Sequence, residues 1–179
     1  MYSQFWPGQV SRVSRGRLRK KKVMTSGILP EIKFQKKSVY DLSKSDLAEI
    51  DIIVSNPPYV SSQEYLSEVD ASVKKWEDIG ALVPSTNSNG RKTFECSSGT
   101  EILEFLIELY NQLPKRQRGS SEIPGLVVEM GASQTQLIAS KLSPPIAPGN
   151  IFSGLTRAEI WTDSFGHDRV VAAYPPPSI

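Results

Sequence analysis

Asp51-Ile52-Ile53-Val54-Ser55-Asn56-Pro57-Pro58-Tyr59 is the stretch that decides how this chain folds. Ile52, Ile53 and Val54 form a continuous β-branched run, apolar on both faces of an extended backbone. Runs of that kind suit the buried strands of a parallel sheet. Asn56-Pro57-Pro58 stops the run, because proline has no N–H to give to a strand ladder. In open α/β sheets, ligands bind just beyond the carboxyl ends of the strands. The four residues Asn56, Pro57, Pro58 and Tyr59 therefore stand where an active site is expected. Their chemistry suits a planar amide or an aromatic amine, which offers two N–H donors and a delocalised, poorly nucleophilic lone pair. The Asn56 carboxamide oxygen can accept one N–H. The Pro57 carbonyl can accept the other, in a turn that the ring holds rigid. Tyr59 can stack on the planar group. The bland alternative is a proline pair that merely ends a strand; the strand followed by all four residues in this order outweighs it.

Working outward, a second buried-strand run is Gly125-Leu126-Val127-Val128-Glu129-Met130, closed by Gly131. Between the two runs, Ser61 with Glu64 makes a capping box, and a helix is predicted to about Val73. Trp76 to Glu95 reads as loop. Ser98 with Glu101 makes a second box. The helix after it carries Ile102, Leu106, Leu109 and Leu113 on one stripe, and Pro114 ends it. Ser133 to Leu142 is predicted as a short helix with Leu137, Ile138 and Leu142 apolar. Ala158–Thr162 and Arg169–Tyr174 are predicted strands of a hairpin turning at Asp163–Asp168. Before the first run, Ile32–Phe34 is a short strand candidate, and Tyr40–Ile50 a turn or short helix with Leu42, Leu47 and Ile50 inward. Alternating strands and helices with a terminal hairpin predict an α/β sandwich, its sheet mostly parallel and ending antiparallel.

Composition bounds the function. The chain has 179 residues, of which 39% are hydrophobic and 22% charged, enough for one packed core. No run of 18 apolar residues occurs, so no membrane partner is expected. One cysteine, Cys96, and one histidine, His167, exclude a disulfide framework and a multi-ligand zinc site. The net charge of +2 hides an asymmetry. Residues 1–30 carry seven basic side chains and no acidic one, whereas residues 31–179 carry a net −5. An acidic body has no electrostatic reason to bind nucleic acid. The basic segment reads as a disordered arm, and its Arg- and Ser-rich, acid-free composition also resembles a mitochondrial transit peptide.

Ile53-Val54-Ser55-Asn56-Pro57-Pro58-Tyr59-Val60 resembles the signature of the HemK family, the release-factor glutamine N5-methyltransferases. Trp76-Glu77-Asp78 followed by Ala81-Leu82 is similar to the family's Glu-Pro and Ala-Leu segment, with Asp78 in place of the usual proline. Gly99 resembles the glycine that leads the next helix. Leu126-Val127-Val128-Glu129-Met130-Gly131 with Gln134 resembles the strand that ends in Glu-Ile-Gly and its nearby glutamine. Asp163, Gly166 and Arg169-Val170-Val171 resemble the closing hairpin. These features run in the family's order from about Ile32 to Tyr174.

The resemblance implies a Rossmann-like class I methyltransferase fold, S-adenosylmethionine as methyl donor, and the glutamine of a Gly-Gly-Gln loop in a peptide-chain release factor as substrate. It implies Asn56, Pro57 and Tyr59 as catalytic residues, with Pro58 beside them at the substrate. For the donor it implies Asn56, with Ser38 or Asp41 near the adenine. The mitochondrion follows as the expected compartment, by likeness to the organellar branch, and otherwise the cytoplasm. The sequence departs from the family in lacking the acidic-x-Gly-x-Gly-x-Gly donor loop, the ribose-binding acidic residue and the helical N-terminal domain. Residues 31–179 therefore read as the C-terminal part of a catalytic domain. The expected explanations are a missing upstream part, a truncated natural product, or a partner subunit that fills the gap. Two further functions stay open: a nucleic-acid adenine N6-methyltransferase, whose Pro-Pro-aromatic turn is very similar, and a non-catalytic pseudoenzyme. Glu129 suits orienting a ligand or capping a turn equally. Asp163, Asp168 and Arg169 are expected to form a hairpin ion pair, Trp76 and Trp161 to pack, and His167 to be solvated.

Overall fold

The computed structural model describes residues 12–13, 32–33, 37–48, 50–88, 91–93, 97–112, 122–142 and 157–175. Strand β1 (Arg12–Val13) pairs antiparallel with β2 (Ile32–Lys33), so this stretch of the predicted disordered arm has strand structure. A 3-10 turn at Val39–Asp41 and helix α1 (Lys44–Leu47) lead into β3 (Ile53–Ser55). Then come α2 (Ser62–Ser67), α3 (Ala71–Trp76), α4 (Ile79–Leu82), β4 (Thr86–Ser88) and β5 (Arg91–Thr93). Helix α5 (Glu101–Asn111), β6 (Leu126–Glu129), α6 (Thr135–Leu142) and the hairpin β7 (Arg157–Thr162) and β8 (Asp168–Tyr174) complete the order.

The main sheet runs β3-β6-β8-β7. Only β3 and β6 are parallel; β6–β8 and β7–β8 are antiparallel. The expectation of a mostly parallel sheet is thus corrected to a mixed α/β sheet. A tight turn at Asp163–His167 forces β8 to return antiparallel along β7, and β8 then inserts between β7 and β6. The β3–β6 pair is parallel because a long crossover containing α5 separates it.

Register defines the two faces. Ile53, Leu126, Ala173 and Ala158 align across the sheet, as do Ser55, Val128, Val171 and Ile160. Helices α5 and α6 cover this face. Six apolar side chains of α5 are buried, among them Leu103, Leu106 and Ile107, together with Ile138 and Leu142 of α6. Burying each such side chain stabilises the fold by roughly 1.5–3 kcal/mol. Of the apolar residues of α6, Ile138 and Leu142 are buried, with Thr135, and Leu137 is exposed.

Local chemistry explains further departures. The Ser61–Glu64 box forms in both directions, but the helix it starts ends at Ser67. Asp70 begins α3 by accepting the N–H of Ser72 at 2.7 Å. Inside the predicted loop at Trp76–Glu95, Asp78 caps α4 through the N–H of Gly80 at 2.7 Å, and β4 and β5 form a hairpin. Glu101 takes the N–H of Ser98 at 2.6 Å, yet Thr100 is the N-cap of α5, so only half of the second box forms. Trp76 is 79% exposed and Trp161 41%, so neither is a core residue. Leu113, Pro114 and Cys96 lie outside the described residues.

Gly125 marks the tightest approach of helix to sheet. A β-carbon there would overlap the Tyr110 hydroxyl and ring. Gly125→Ala is expected to destabilise the protein by about 1–3 kcal/mol, the usual range for overpacking, read as a lower denaturant midpoint at unchanged slope.

Candidate functional site

The Asn56–Tyr59 turn leaves the carboxyl end of β3, as the strand run predicted. Pro57 and Pro58 are buried, Tyr59 is half-buried and Asn56 is exposed. Buried prolines fix φ on both sides of the turn, so the Asn56 side chain and the Pro57 carbonyl are carried on a stiff frame. Among the described residues the Asn56 carboxamide makes no hydrogen bond, and its polar atoms face solvent.

What holds the turn comes from elements distant in sequence. Gln134 Nε2 donates to the Tyr59 carbonyl at 2.8 Å. The same side chain accepts the Gly131 N–H through Oε1 at 3.1 Å, so it ties the end of β3 to the end of β6. Gly99, with φ +84°, approaches the Tyr59 carbonyl so closely that a β-carbon would overlap it and lie 2.8 Å from Gln134 Nε2. The positive φ is itself costly for any other residue. Val60 donates its N–H to Leu82 O at 2.8 Å, and Ser62 donates to Ser97 O at 3.1 Å. Gly99 and Gln134, separate signals along the sequence, thus meet at the Tyr59 carbonyl, and Gly131 is tied to it through the Gln134 side chain.

A pocket of about 410 Å³ opens beside Tyr59, lined by Glu129, Thr162, Asp163, Arg169 and Val170. Burial pushes the Tyr59 phenol above its ordinary pKa, the Glu129 charge adds to this, and Arg169 opposes it. Asp163 Oδ1 accepts the N–H groups of Phe165 at 2.8 Å and His167 at 3.0 Å. Its Oδ2 lies 3.6 Å from Arg169 Nε and from His167 Nδ1. Of the expected Asp163, Asp168 and Arg169 cluster, Asp163 and Arg169 pair, Asp168 forms no ion pair among the described residues, and His167 is exposed. Glu129 caps no turn among the described residues. A wider groove of about 570 Å³ on the α2 side, lined by Ser62, Gln63, Leu66, Ser67, Ser97 and Ser98, has no titratable lining residue.

Ser38 and Asp41 are not joined to the Asn56 turn by any hydrogen bond or ion pair among the described residues. Ser38 Oγ caps the Val39–Asp41 turn by accepting the Tyr40 N–H at 3.3 Å. That turn leans on α5, with the Tyr40 and Phe105 rings 4.5 Å apart. Asp41 is exposed. The fit of a methyl donor is decided at the other flank of β3. Among the described residues β3 has one strand neighbour in the main sheet, β6, and Val54 is 65% exposed. No acidic-x-Gly-x-Gly-x-Gly loop occurs in the chain to cradle an adenosyl group. The described residues therefore place hydrogen-bond acceptors at the turn and do not fit an adenosyl donor.

Comparison with protein-family models, with curated proteins and with solved structures finds no match to this chain.

Gln134→Leu is expected to cost about 1–3 kcal/mol, because it orphans the Tyr59 carbonyl and the Gly131 N–H together. Asn56→Ala, exposed and unbonded, is expected to change stability by less than about 0.5 kcal/mol; thermal melts of the two variants check the contrast. The hairpin turn has a pH signature. The N–H of His167 above all, then that of Phe165, holds the Asp163 carboxyl below its ordinary value of 3.8. A carboxylate depressed in the folded state stabilises fully above its unfolded pKa and loses that contribution as pH falls through the folded one. Acid unfolding of Asp163→Asn is expected to show a weaker pH dependence below about pH 4 than the natural chain.

Proposed function

We propose that this chain carries the acceptor-amide site of a protein glutamine N5-methyltransferase of the HemK type, acting on the Gly-Gly-Gln loop of a peptide-chain release factor. The observation that carries the proposal is the Asn56–Tyr59 turn at the carboxyl end of β3, braced from behind by Gln134 with Asn56 left exposed. The mixed α/β sheet with its antiparallel terminal hairpin is compatible with a Rossmann-like class I methyltransferase sandwich. Nucleic acid would be met only through the release factor. No helix among the described residues is long and apolar enough to cross a membrane.

The chain's own contribution is positional. The Asn56 carboxamide oxygen and the Pro57 carbonyl accept the two N–H groups of the target amide and hold its plane. As the amide nitrogen becomes tetrahedral its N–H groups turn more cationic, and bonds to these two acceptors strengthen. Interactions that strengthen on the way to the transition state accelerate the step rather than merely bind. Pro57 and Pro58 keep the acceptors preorganised. Tyr59 walls the site toward Glu129 with a neutral phenol. S-adenosylmethionine is the donor that the family resemblance implies, and when bound it supplies an electrophilic methyl group. Its cradle is assigned in this proposal to an upstream segment or a partner subunit, and the mitochondrion is the proposed compartment.

A second reading has a specific observation behind it. The lack of a donor cradle favours a non-catalytic pseudoenzyme or a subunit that depends on a partner. Adenine methylation is less well supported, since two carboxylates, Glu129 and Asp163, face one guanidinium in the adjoining pocket and repel a polyanion.

Titration of the folded chain with a Gly-Gly-Gln peptide, followed by NMR shifts, tests the proposal. The natural chain is expected to bind the peptide, and Asn56→Ala to weaken binding at least about ten-fold with an unchanged circular dichroism spectrum. Equal affinity in the two proteins overturns the proposal. Preference for an adenine oligonucleotide moves support to the amine alternative, and failure to bind either probe to the pseudoenzyme.

A further inference from the structure

The pocket beside the turn has a chemistry of its own. It lies between the end of β6, which brings Glu129, the end of β7, which brings Thr162 and Asp163, and the start of β8, which brings Arg169 and Val170. Its carboxylates are not equivalent. Asp163 is spent on its own turn, with both oxygens engaged by the N–H groups of Phe165 and His167 and by the Arg169 and His167 side chains. Glu129 is half-buried and makes no side-chain hydrogen bond or ion pair among the described residues. Arg169 turns Nε toward Asp163, which leaves the far end of the guanidinium for another acceptor. A free acceptor and a free donor thus stand side by side in a cavity continuous with Tyr59.

We propose that this pocket binds the peptide backbone next to the target amide, with Glu129 accepting a main-chain N–H and Arg169 donating to a main-chain carbonyl. An extended peptide presents those two groups alternately along each edge, which matches an acceptor beside a donor. The cavity of about 410 Å³ has room for a few residues of backbone and small side chains, as glycines would be. Glu129 is then a specificity-determining residue. It selects a neutral or basic peptide segment over an acidic one and over a nucleic-acid strand, because a second anion would be placed against an unpaired carboxylate.

This inference rests on the amide-binding role of Asn56, and its test separates the two. The probes are a Gly-Gly-Gln peptide and the same peptide N-methylated at each backbone nitrogen in turn. They are titrated into the natural chain, Glu129→Ala and Asn56→Ala. Loss of one charge-assisted hydrogen bond is expected to weaken binding about ten-fold. One N-methylated peptide is expected to show that loss against the natural chain and no additional loss against Glu129→Ala. If every N-methylation costs the same in both proteins, the Glu129 contact is refuted while the Asn56 assignment stands. If Asn56→Ala binds as tightly as the natural chain, the amide site itself is refuted. Glu129→Asp, which keeps the charge on a shorter arm, is expected to recover part of the affinity, as a purely structural role for Glu129 would not require.

Discussion

The hydrogen bond from Gln134 to the Tyr59 carbonyl is the constraint on which the rest of the site depends. It crosses 75 residues of sequence. One carboxamide satisfies a carbonyl after β3 and an N–H after β6, so the ends of the two parallel strands are locked to one another. A carbonyl on a proline-rich turn has no ladder partner of its own, and leaving it buried and unpaired would cost on the order of 1–3 kcal/mol. Gly99 completes the arrangement, because only a residue without a β-carbon can pass that close to the Tyr59 carbonyl at positive φ. The start of α5 is thereby drawn against the site, and the packing of α5 on the sheet transmits the stiffness of the core to the turn.

A second consequence follows from the sheet's asymmetry. Helices α5 and α6 cover one face, while the register that contains Val54 and Trp161 is partly open. Among the described residues β3 is an edge strand of the main sheet, so an apolar strand has no pairing neighbour there on one side. Exposed edges of this kind invite pairing with another strand. The acceptor groups are rigid and well supported, and the flank where a donor would lie is open. That contrast is why the proposed function assigns the donor cradle to other residues.

Much of the fold was legible from local patterns. The β-branched run before Asn56, the run at Leu126–Glu129 and the closing hairpin are elements whose hydrophobic period is uninterrupted. Helix α5 was legible for the same reason. Where the pattern was short or polar, reading along the chain missed the structure. Helix α4 has four residues started by an Asp78 cap, and β4–β5 is a polar three-residue hairpin. The mostly parallel sheet failed because strand direction depends on which neighbour β8 meets, and that is settled by packing. Trp76 and Trp161 misled because large apolar side chains are not obliged to be buried.

The sequence by itself determined the elements and the chemistry of the turn. A β-branched strand, two prolines and a flanking amide are a local arrangement, and their acceptor geometry follows from covalent structure alone. Tertiary structure alone decided what supports and surrounds that turn. Glu129, Thr162, Asp163 and Arg169 come from three strand ends, and no periodicity in the chain announces that they share a cavity with Tyr59. The same holds for Gly99 and Gln134, which meet at the Tyr59 carbonyl, and for Gly131, which bonds the same Gln134 side chain; their meeting exists only once β3 and β6 lie side by side. Backbone polarity and covalent geometry act between neighbours in sequence, whereas hydrogen-bond satisfaction and close packing act between neighbours in space.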